Sequence, residues 1–489
     1  MTDSTKAPPN TIVWFRTELR TDDHPALSAA SDRGAVAPVF IWDAHNTQND
    51  PWKMGGACKW WLHHSLQSLH AELTDLGSPL IIRQGNPAQE LIDLARQASA
   101  DRVMTIGSLD PAQRERDEEI EHALNDAGIE LEICPTDTLW EIGAVRTKEG
   151  RPYQVYSPFF KAGLGQLEVH QPIEAPAALI APAESVRTLD IDELGLLPSI
   201  DWDGGFRKRW TPGSSSAHTI FDAFASSKIN GYKEGRNWLD LRFADDGAGW
   251  SALSPHMKFG EISVRRMWHT LIDHADFKNR NSVSEYMKQL AWREFAQHLL
   301  TFFPDTPTEP LRDQFDAFPW NHDPAHFDAW KKGQTGYPVV DACMRHLYHE
   351  GWMPNRGRMI VASFLCKHLL IPWQDGANWF WDTLVDADLG NNTLGWQWTA
   401  GCGADAAPYF RIFNPITQGQ KFDPDGSYVR TWVPEIAELN TKVIHSPWEA
   451  APLELQAAGI TLGEDYPLPI VDHKAARDTA LAAYEKIKK

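Results

Sequence analysis

The chain has 489 residues, 42% apolar and 23% charged, enough for two or three folded domains. A net charge of −20 excludes a generally basic nucleic-acid coat. Five scattered cysteines without a CxxC pair argue against a disulfide framework or a zinc site and suit a reducing cytoplasm.

The opening MTDSTKAPPN is polar, and no apolar run approaches the roughly 18 residues of a membrane span. The expectation is a cytoplasmic protein with no membrane segment and no bound metal. TIVWF (11–15), APVFIW (37–42), PLIIR (79–83), RVMTIG (102–107) and IELEIC (129–134) are short, apolar and rich in β-formers. Helical stretches separate them at Pro25–Arg33, Lys59–Leu76, Pro87–Ala98 and Ala112–Gly128. This rhythm predicts a Rossmann-like α/β domain with a parallel sheet over residues 1–135. Such sheets bind ligands at the carboxyl ends of their strands, but no GxGxxG follows the first strand. Residues 136–215 are rich in Pro, Gly and Ser and read as an irregular connector. From 216 to 489 apolar residues recur at three-to-four spacing, as in VSEYMKQLAWREFAQHLLTFF (283–303), which predicts an all-α domain.

Familiar catalytic signatures are missing: GxSxG, HExxH and GxxxxGK[ST] do not occur. Twenty-two tryptophans call for large aromatic cores, stacking sites or both. Aromatics, amides and a few charges concentrate between 286 and 415. Most such tryptophans pack a core, and a pair such as Asp386 and Asp388 often caps a helix. The concentration nevertheless suits a flat conjugated ligand in a helical pocket, where the ligand carries the chemistry. Residues 331–430 hold nine Lys plus Arg against nine Asp plus Glu, so a cationic face can exist there on an acidic protein. NNTLGWQWTAGCGADAAPYFRIFNP (391–415) compresses the pattern: two amides, two tryptophans one residue apart, small residues, then Arg411 among aromatics.

WFRTELRTDDHPAL (14–27), KWWLHHSL (59–66), LSPHMKFGEIS (253–263), AWREF (291–295), TGYPVVDACMRHL (335–347) and NRGRMIVASFLCKHLL (355–370) resemble the motifs of the photolyase/cryptochrome family. The resemblance runs from residue 11 to about 485 and is greatest to bacterial cyclobutane-dimer photolyases, with KWWLHHSL and WQWTAGCGADAAPYFRIFNP most similar to the class III branch. It implies an α/β antenna domain, a connector and an all-helical domain that binds FAD.

By that resemblance Tyr232, Ser251, Leu253, Ser254, Arg293, Trp352, Asn355, Arg358, Asp386, Asp388 and Asn392 bind the flavin. Hydroxyls and amides at 251–254 suit a pyrophosphate. Here DDGAGWSALSP (245–255) departs from the family's DGTSxLSP, and Trp250 stands where a phosphate-binding threonine is expected. Arg358 and Asp386 would be the charge pair beside the flavin, with His368 replacing an acid near Arg358. Asn392 would face the flavin's central nitrogen, and asparagine there is typical of repair enzymes. Trp396, Trp373 and Trp320 match an electron-transfer chain.

The implied substrate is UV-damaged DNA, whose dimer must leave the base stack to be reached. Trp292 and Trp398 match the slot's walls, and Met359 and Asn355 its floor. Gln289 stands where the family normally has glutamate, and an amide can hydrogen-bond a thymine but cannot supply an acid's proton. Arg356, Arg411 and Lys421 match phosphate-contacting positions, a local patch that answers the −20 net charge.

The resemblance implies an antenna chromophore in the α/β domain, methenyltetrahydrofolate favoured over a deazaflavin, although SLDPAQRERD (108–117) lacks the Asn-Glu pair that holds folate in class I enzymes. A monomeric light-driven dimer photolyase is the leading reading. A blue-light photoreceptor with little repair is the alternative, drawn from Gln289 and the altered loop. The missing histidine pair around Pro354–Met359 disfavours repair of (6-4) lesions.

Overall fold

The computed structural model describes residues 10–43, 52–239, 249–276, 280–406 and 410–488. The polar start, residues 245–248 of the altered loop and Tyr409 lie outside them.

Five strands, β1 (Asn10–Phe15), β2 (Ala35–Trp42), β3 (Ile81–Gln84), β4 (Ala100–Ile106) and β5 (Glu130–Cys134), form one parallel sheet in the order β3-β2-β1-β4-β5. Helices α1 (Pro25–Arg33), α2 (Gly56–Leu76), α3 (Pro87–Ala98) and α4 (Pro111–Asp126) join them. The two-residue alternation of a strand sorts side chains between the faces. Ile12, Trp14, Val39 and Ile41 pack with Leu91 and Leu94 of α3 and Ile120 and Leu124 of α4. Val13, Phe15 and Phe40 pack with α1 and α2, and that core continues into the helical half. Coverage on both faces is why β1 and β2 are apolar almost throughout.

Helix starts follow local chemistry. Asn86 and Asp110 accept hydrogen bonds from the backbone N–H of Gln89 and Ala112, and each precedes a proline at the first helical position. α2 stops at Gly77, whose φ of +108° suits glycine.

The connector is more ordered than its composition predicts. It carries a helix, α5 (Tyr156–Gln166), and a short one at Gly204–Arg209. Between them the chain straps the sheet domain: Leu179 N–H donates to Leu76 O at 2.6 Å, Val36 N–H to Ile180 O at 2.8 Å, and Leu189 N–H to Ile82 O at 2.9 Å. Beyond β5 the described residues contain only one isolated β-bridge, Leu462 to Tyr466, and are otherwise helices and turns. No described helix is long and apolar enough to cross a membrane.

Three of the sequence motifs weld the halves together. Trp61 Nε1 of KWWLHHSL donates to Glu261 of LSPHMKFGEIS at 2.9 Å, and Ser65 Oγ donates to the same carboxylate at 2.6 Å. Asp22 and Asp23 of the opening motif pair with Arg266 and Arg265 at 2.6 and 3.0 Å. These buried and half-buried bonds fix the sheet's carboxyl edge against the helical half.

Candidate active site

A cavity of about 680 Å³ opens within the helical half. All but four of the candidate residues line it; Trp320, Trp373, Arg411 and Lys421 do not. Helical spacing explains the convergence. Gln289, Trp292 and Arg293 lie on one face of the long helix Arg280–Phe302. Asn355, Arg358 and Met359 do the same on Asn355–Ser363. Asn392, Trp396 and Trp398 come from Leu389–Ala400. Tyr232, with the 251–254 turn and Trp352, completes the wall.

Charge on the floor is paired. Arg358 grips Asp386 with two bonds, Nη1–Oδ1 at 3.0 Å and Nη2–Oδ2 at 2.8 Å, donates from Nε to Met353 O at 3.1 Å, and lies over the Trp352 ring at 5.9 Å. Such a fork leaves the cation oriented and able to stabilise negative charge developing on a ligand. Asp388 caps Leu389–Ala400, accepting from Asn391 N–H at 2.8 Å, and takes Gln297 Nε2 at 3.1 Å. Burial acts to lower Arg293, but the carboxylates of Asp137, Glu294 and Asp388 outweigh it and hold its guanidinium above the usual value.

Ser251 Oγ accepts from the Tyr286 hydroxyl at 2.9 Å, and Ser254 Oγ from Trp352 Nε1 at 3.1 Å. His368 departs from expectation. It meets His473 at 2.8 Å and stacks on Phe364, while the ten residues of helix separating it from Arg358 span about 15 Å. It therefore gives Arg358 no support.

The remaining candidate residues are aromatic, amide and cationic. Trp292 lies face to face with Tyr156 of α5, centroids 3.8 Å apart and planes 7° apart. Gln289 Nε2 donates to Glu285 O at 3.2 Å, and Asn355 Nδ2 meets Met359 Sδ at 3.8 Å. Arg356 donates to Asn237 Oδ1 at 2.7 Å and stacks on Phe422, and Lys421 stands over the same ring at 5.2 Å. Burial, then the nearby charges of Arg411 and Arg236, lowers the Arg356 pKa, the mark of a crowded cationic rim. Arg411 and Trp398 share a small adjoining recess.

The three tryptophans expected to form a relay come from two helices and a loop. Trp396 packs edge-on against Phe380 at 4.9 Å, and a Cβ on Gly376 would collide with its ring, so the helix Trp373–Thr383 is pressed against it. Trp373, buried, starts that helix. Half-buried Trp320 precedes Asn321, whose N–H donates to Leu370 O at 2.7 Å.

A second cavity of about 480 Å³ lies at the carboxyl ends of the strands, lined by Trp14, Trp42, Asn86 and Gly107 from the sheet side and Trp381 from the helical side. Arg293 and Asp388 border both cavities.

FAD fits the first cavity on its own evidence. The Ser251 and Ser254 hydroxyls suit a pyrophosphate, and the Arg358–Asp386 fork and the Asn392 amide suit a ring that takes up negative charge. Sequence reasoning missed Tyr286 and Tyr156. Tyr286 sits one turn before Gln289 on the same helical face and was findable; Tyr156 lies in the connector and carried no signal.

The FAD-binding domain of DNA photolyase matches residues 286–486, and the DNA photolyase domain matches residues 11–177. The chain is 45% identical over 480 residues, 98% of each chain, to the deoxyribodipyrimidine photo-lyase of Agrobacterium fabrum. It is 36% identical to cryptochrome-2 of Arabidopsis thaliana over 97% of this chain and 79% of that one. A solved bacterial class III photolyase from Agrobacterium tumefaciens superposes with a TM-score of 0.92 at 44% identity, covering 100% of this chain and 99% of the other. With its parallel-sheet and helical halves and a cavity lined by the motifs of the helical half, the chain belongs to the DNA photolyase family.

Proposed function

We propose that this protein is a light-driven deoxyribodipyrimidine photo-lyase that splits cyclobutane pyrimidine dimers in UV-damaged DNA. One observation carries the reading: a single cavity is lined by the Arg358–Asp386 fork and Asn392 together with Trp292, Trp398 and Gln289. Bound FAD supplies a photoexcited electron donor. The protein's residues hold, orient and shield. Arg358, fixed by Asp386, favours an anionic ring; Asn392 offers an amide rather than an acid; Ser251 and Ser254 meet the phosphates. Trp292 and Trp398 clamp the flipped dimer and keep water from it, Gln289 hydrogen-bonds its base edge, and Met359 and Asn355 support it. Arg356, Arg411 and Lys421 hold DNA phosphates without reading sequence. Trp396, Trp373 and Trp320 pass electrons inward.

Residues 1–135 act as the antenna domain, 136–215 as the connector and 216–489 as the catalytic domain of a monomer. The second cavity suits a flat antenna chromophore, folate before deazaflavin, since strand carboxyl ends bind ligands in sheets of this kind.

A photoreceptor reading keeps one supporting observation, glutamine at 289. Asn392, Trp292, Trp398 and Met359 on the same cavity favour repair. The deciding experiment gives FAD-loaded enzyme a dimer-bearing oligonucleotide under blue light. Loss of the dimer is expected; an intact dimer with FAD bound and reduced overturns the reading.

A further inference from the structure

Among the described residues three carboxylates line the first cavity, and two of them are committed. Asp386 is gripped by Arg358, while Asp388 caps the helix Leu389–Ala400 and takes Gln297. The third, Asp405, is half-buried and forms no ion pair among the described residues. Burial raises its pKa, and the Tyr156 backbone N–H acts the other way.

The backbone holds Asp405 in place. It sits between buried Ala404 and Ala406 at a φ of +50°, a left-handed conformation uncommon outside glycine, asparagine and aspartate. Its N–H donates to Gln154 O at 3.1 Å, two residues before Tyr156, whose ring stacks on Trp292. The turn before it is pressed onto the helix that carries Trp398. Cys402 and Gly403 N–H both donate to Gln397 O at 3.1 Å, and a Cβ on Gly403 would lie 2.7 Å from the Gln397 Cβ. One turn thus ties the Trp398 helix to the connector behind Trp292, and Asp405 is its acid on the cavity.

We propose that Asp405 is the acid of the lesion slot, its protonated carboxyl donating a hydrogen bond to a carbonyl oxygen of the flipped pyrimidine dimer. An electron added to the dimer puts negative charge on such an oxygen, and a donor already in position stabilises it. Gln289 is an amide with its Nε2 turned to Glu285 O, and it has no acidic proton to share. An ionised carboxylate here would repel DNA phosphates. Bound DNA excludes water and brings its own negative charge, and both favour the protonated form. The step moves no atom: the proton stays on Asp405, the carbon–carbon bonds of the dimer break, and the electron then leaves. The titratable group facing Asp405 is Tyr156, whose hydroxyl burial holds well above its ordinary value, so it keeps its proton. Glu285 and Arg236, the charged groups acting on Tyr156, pair with each other at 3.7 Å. The inference rests on the repair reading above and adds a residue to it.

The test compares wild type, Asp405→Asn, Gln289→Glu and the double variant, each loaded with reduced FAD. Dimer loss per photon absorbed and affinity for dimer-bearing DNA are measured from about pH 6 to 9. Asparagine keeps the size, tolerates the left-handed φ and serves the Tyr156 N–H, so a merely structural role leaves the variant like wild type. Asp405→Asn is expected to bind DNA at least as tightly and to repair about 3- to 10-fold less per photon at the acid end of the range. Wild-type repair should fall as pH rises and the carboxyl loses its proton, with Asp405→Asn flat. Gln289→Glu should restore more to Asp405→Asn than it adds to wild type. Equal repair by wild type and Asp405→Asn overturns the inference, as does the same pH profile in both or a repair loss explained by weaker DNA binding. Should Asp405→Asn fail to fold, wild-type repair that is independent of pH overturns it. Wild-type protein that leaves the dimer intact with reduced FAD bound removes the repair reading itself, a separate outcome.

Discussion

Tyr156 and Trp292 stack face to face, 3.8 Å between centroids and 7° between planes, although they lie 136 positions apart in the chain. The connector thereby fixes one wall of the proposed lesion slot. The Tyr156 hydroxyl also donates to Lys288 O at 2.8 Å, one turn before Trp292. An aromatic pair contributes about 0.5–1.5 kcal/mol beyond burial. Tyr156→Leu is expected to weaken binding of dimer-containing DNA about 3- to 10-fold, and Tyr156→Phe much less. Equal affinity in wild type and Tyr156→Leu, read by fluorescence anisotropy, would show that the stack does not position the wall.

Gln289 sits on the cavity between Glu285 and Trp292, with its amide N–H turned to Glu285 O. A carboxylic acid can share a proton with a reduced base where an amide cannot. Gln289→Glu is expected to raise the repair rate per photon absorbed. An unchanged rate under single-turnover light would show that the acid is dispensable in this protein.

Trp373 is buried at the start of the helix pressed against Trp396, and lies off the cavity. Trp373→Phe keeps the packing and loses the readily oxidised ring. Slower photoreduction of oxidised FAD is expected, with repair by chemically reduced enzyme unchanged. Absorbance at the flavin band follows the first and dimer loss the second; photoreduction at the wild-type rate would remove Trp373 from the relay.

Lys367 is buried at the recess that it lines with Trp398, its ammonium 2.9 Å from the Phe410 ring centroid and donating to Ala400 O at 2.6 Å, at the end of the helix that carries Trp396 and Trp398. Burial lowers its pKa from 10.5 to about 7, with Cys366 and Cys402 acting weakly the other way. The unfolded chain keeps this proton to higher pH than the folded one. Between about pH 7 and 10.5 the unfolded state therefore binds more protons, and this lysine's contribution to stability rises with pH across that window. Below pH 7 both states hold the proton and the burial penalty is fully felt. The Tm of wild type minus that of Lys367→Met should increase from pH 6.5 to 9.5. A flat difference would mean that the ammonium is not desolvated.

The sequence by itself determined the five strands, the helices between them and the helical character of the second half. Short apolar runs rich in β-formers placed all five strands within two residues of their ends, because burial on both sheet faces leaves a continuous apolar segment too short for a helix. The 3.6-residue period likewise brought Gln289, Trp292 and Arg293, then Asn355, Arg358 and Met359, onto cavity-facing sides of their helices. Tertiary structure decided what those faces meet. A Pro- and Gly-rich connector hid α5, whose Tyr156 is held by packing on Trp292 rather than by local propensity. His368 went to His473 instead of Arg358, since ten helical residues carry it too far along the axis. Asp22 and Asp23, conspicuous in the opening motif, serve the seam between the halves through Arg266 and Arg265. Local propensity acts over a few residues and leaves a pattern in the chain, whereas contacts across a hundred or more residues depend on packing that no short window of sequence records.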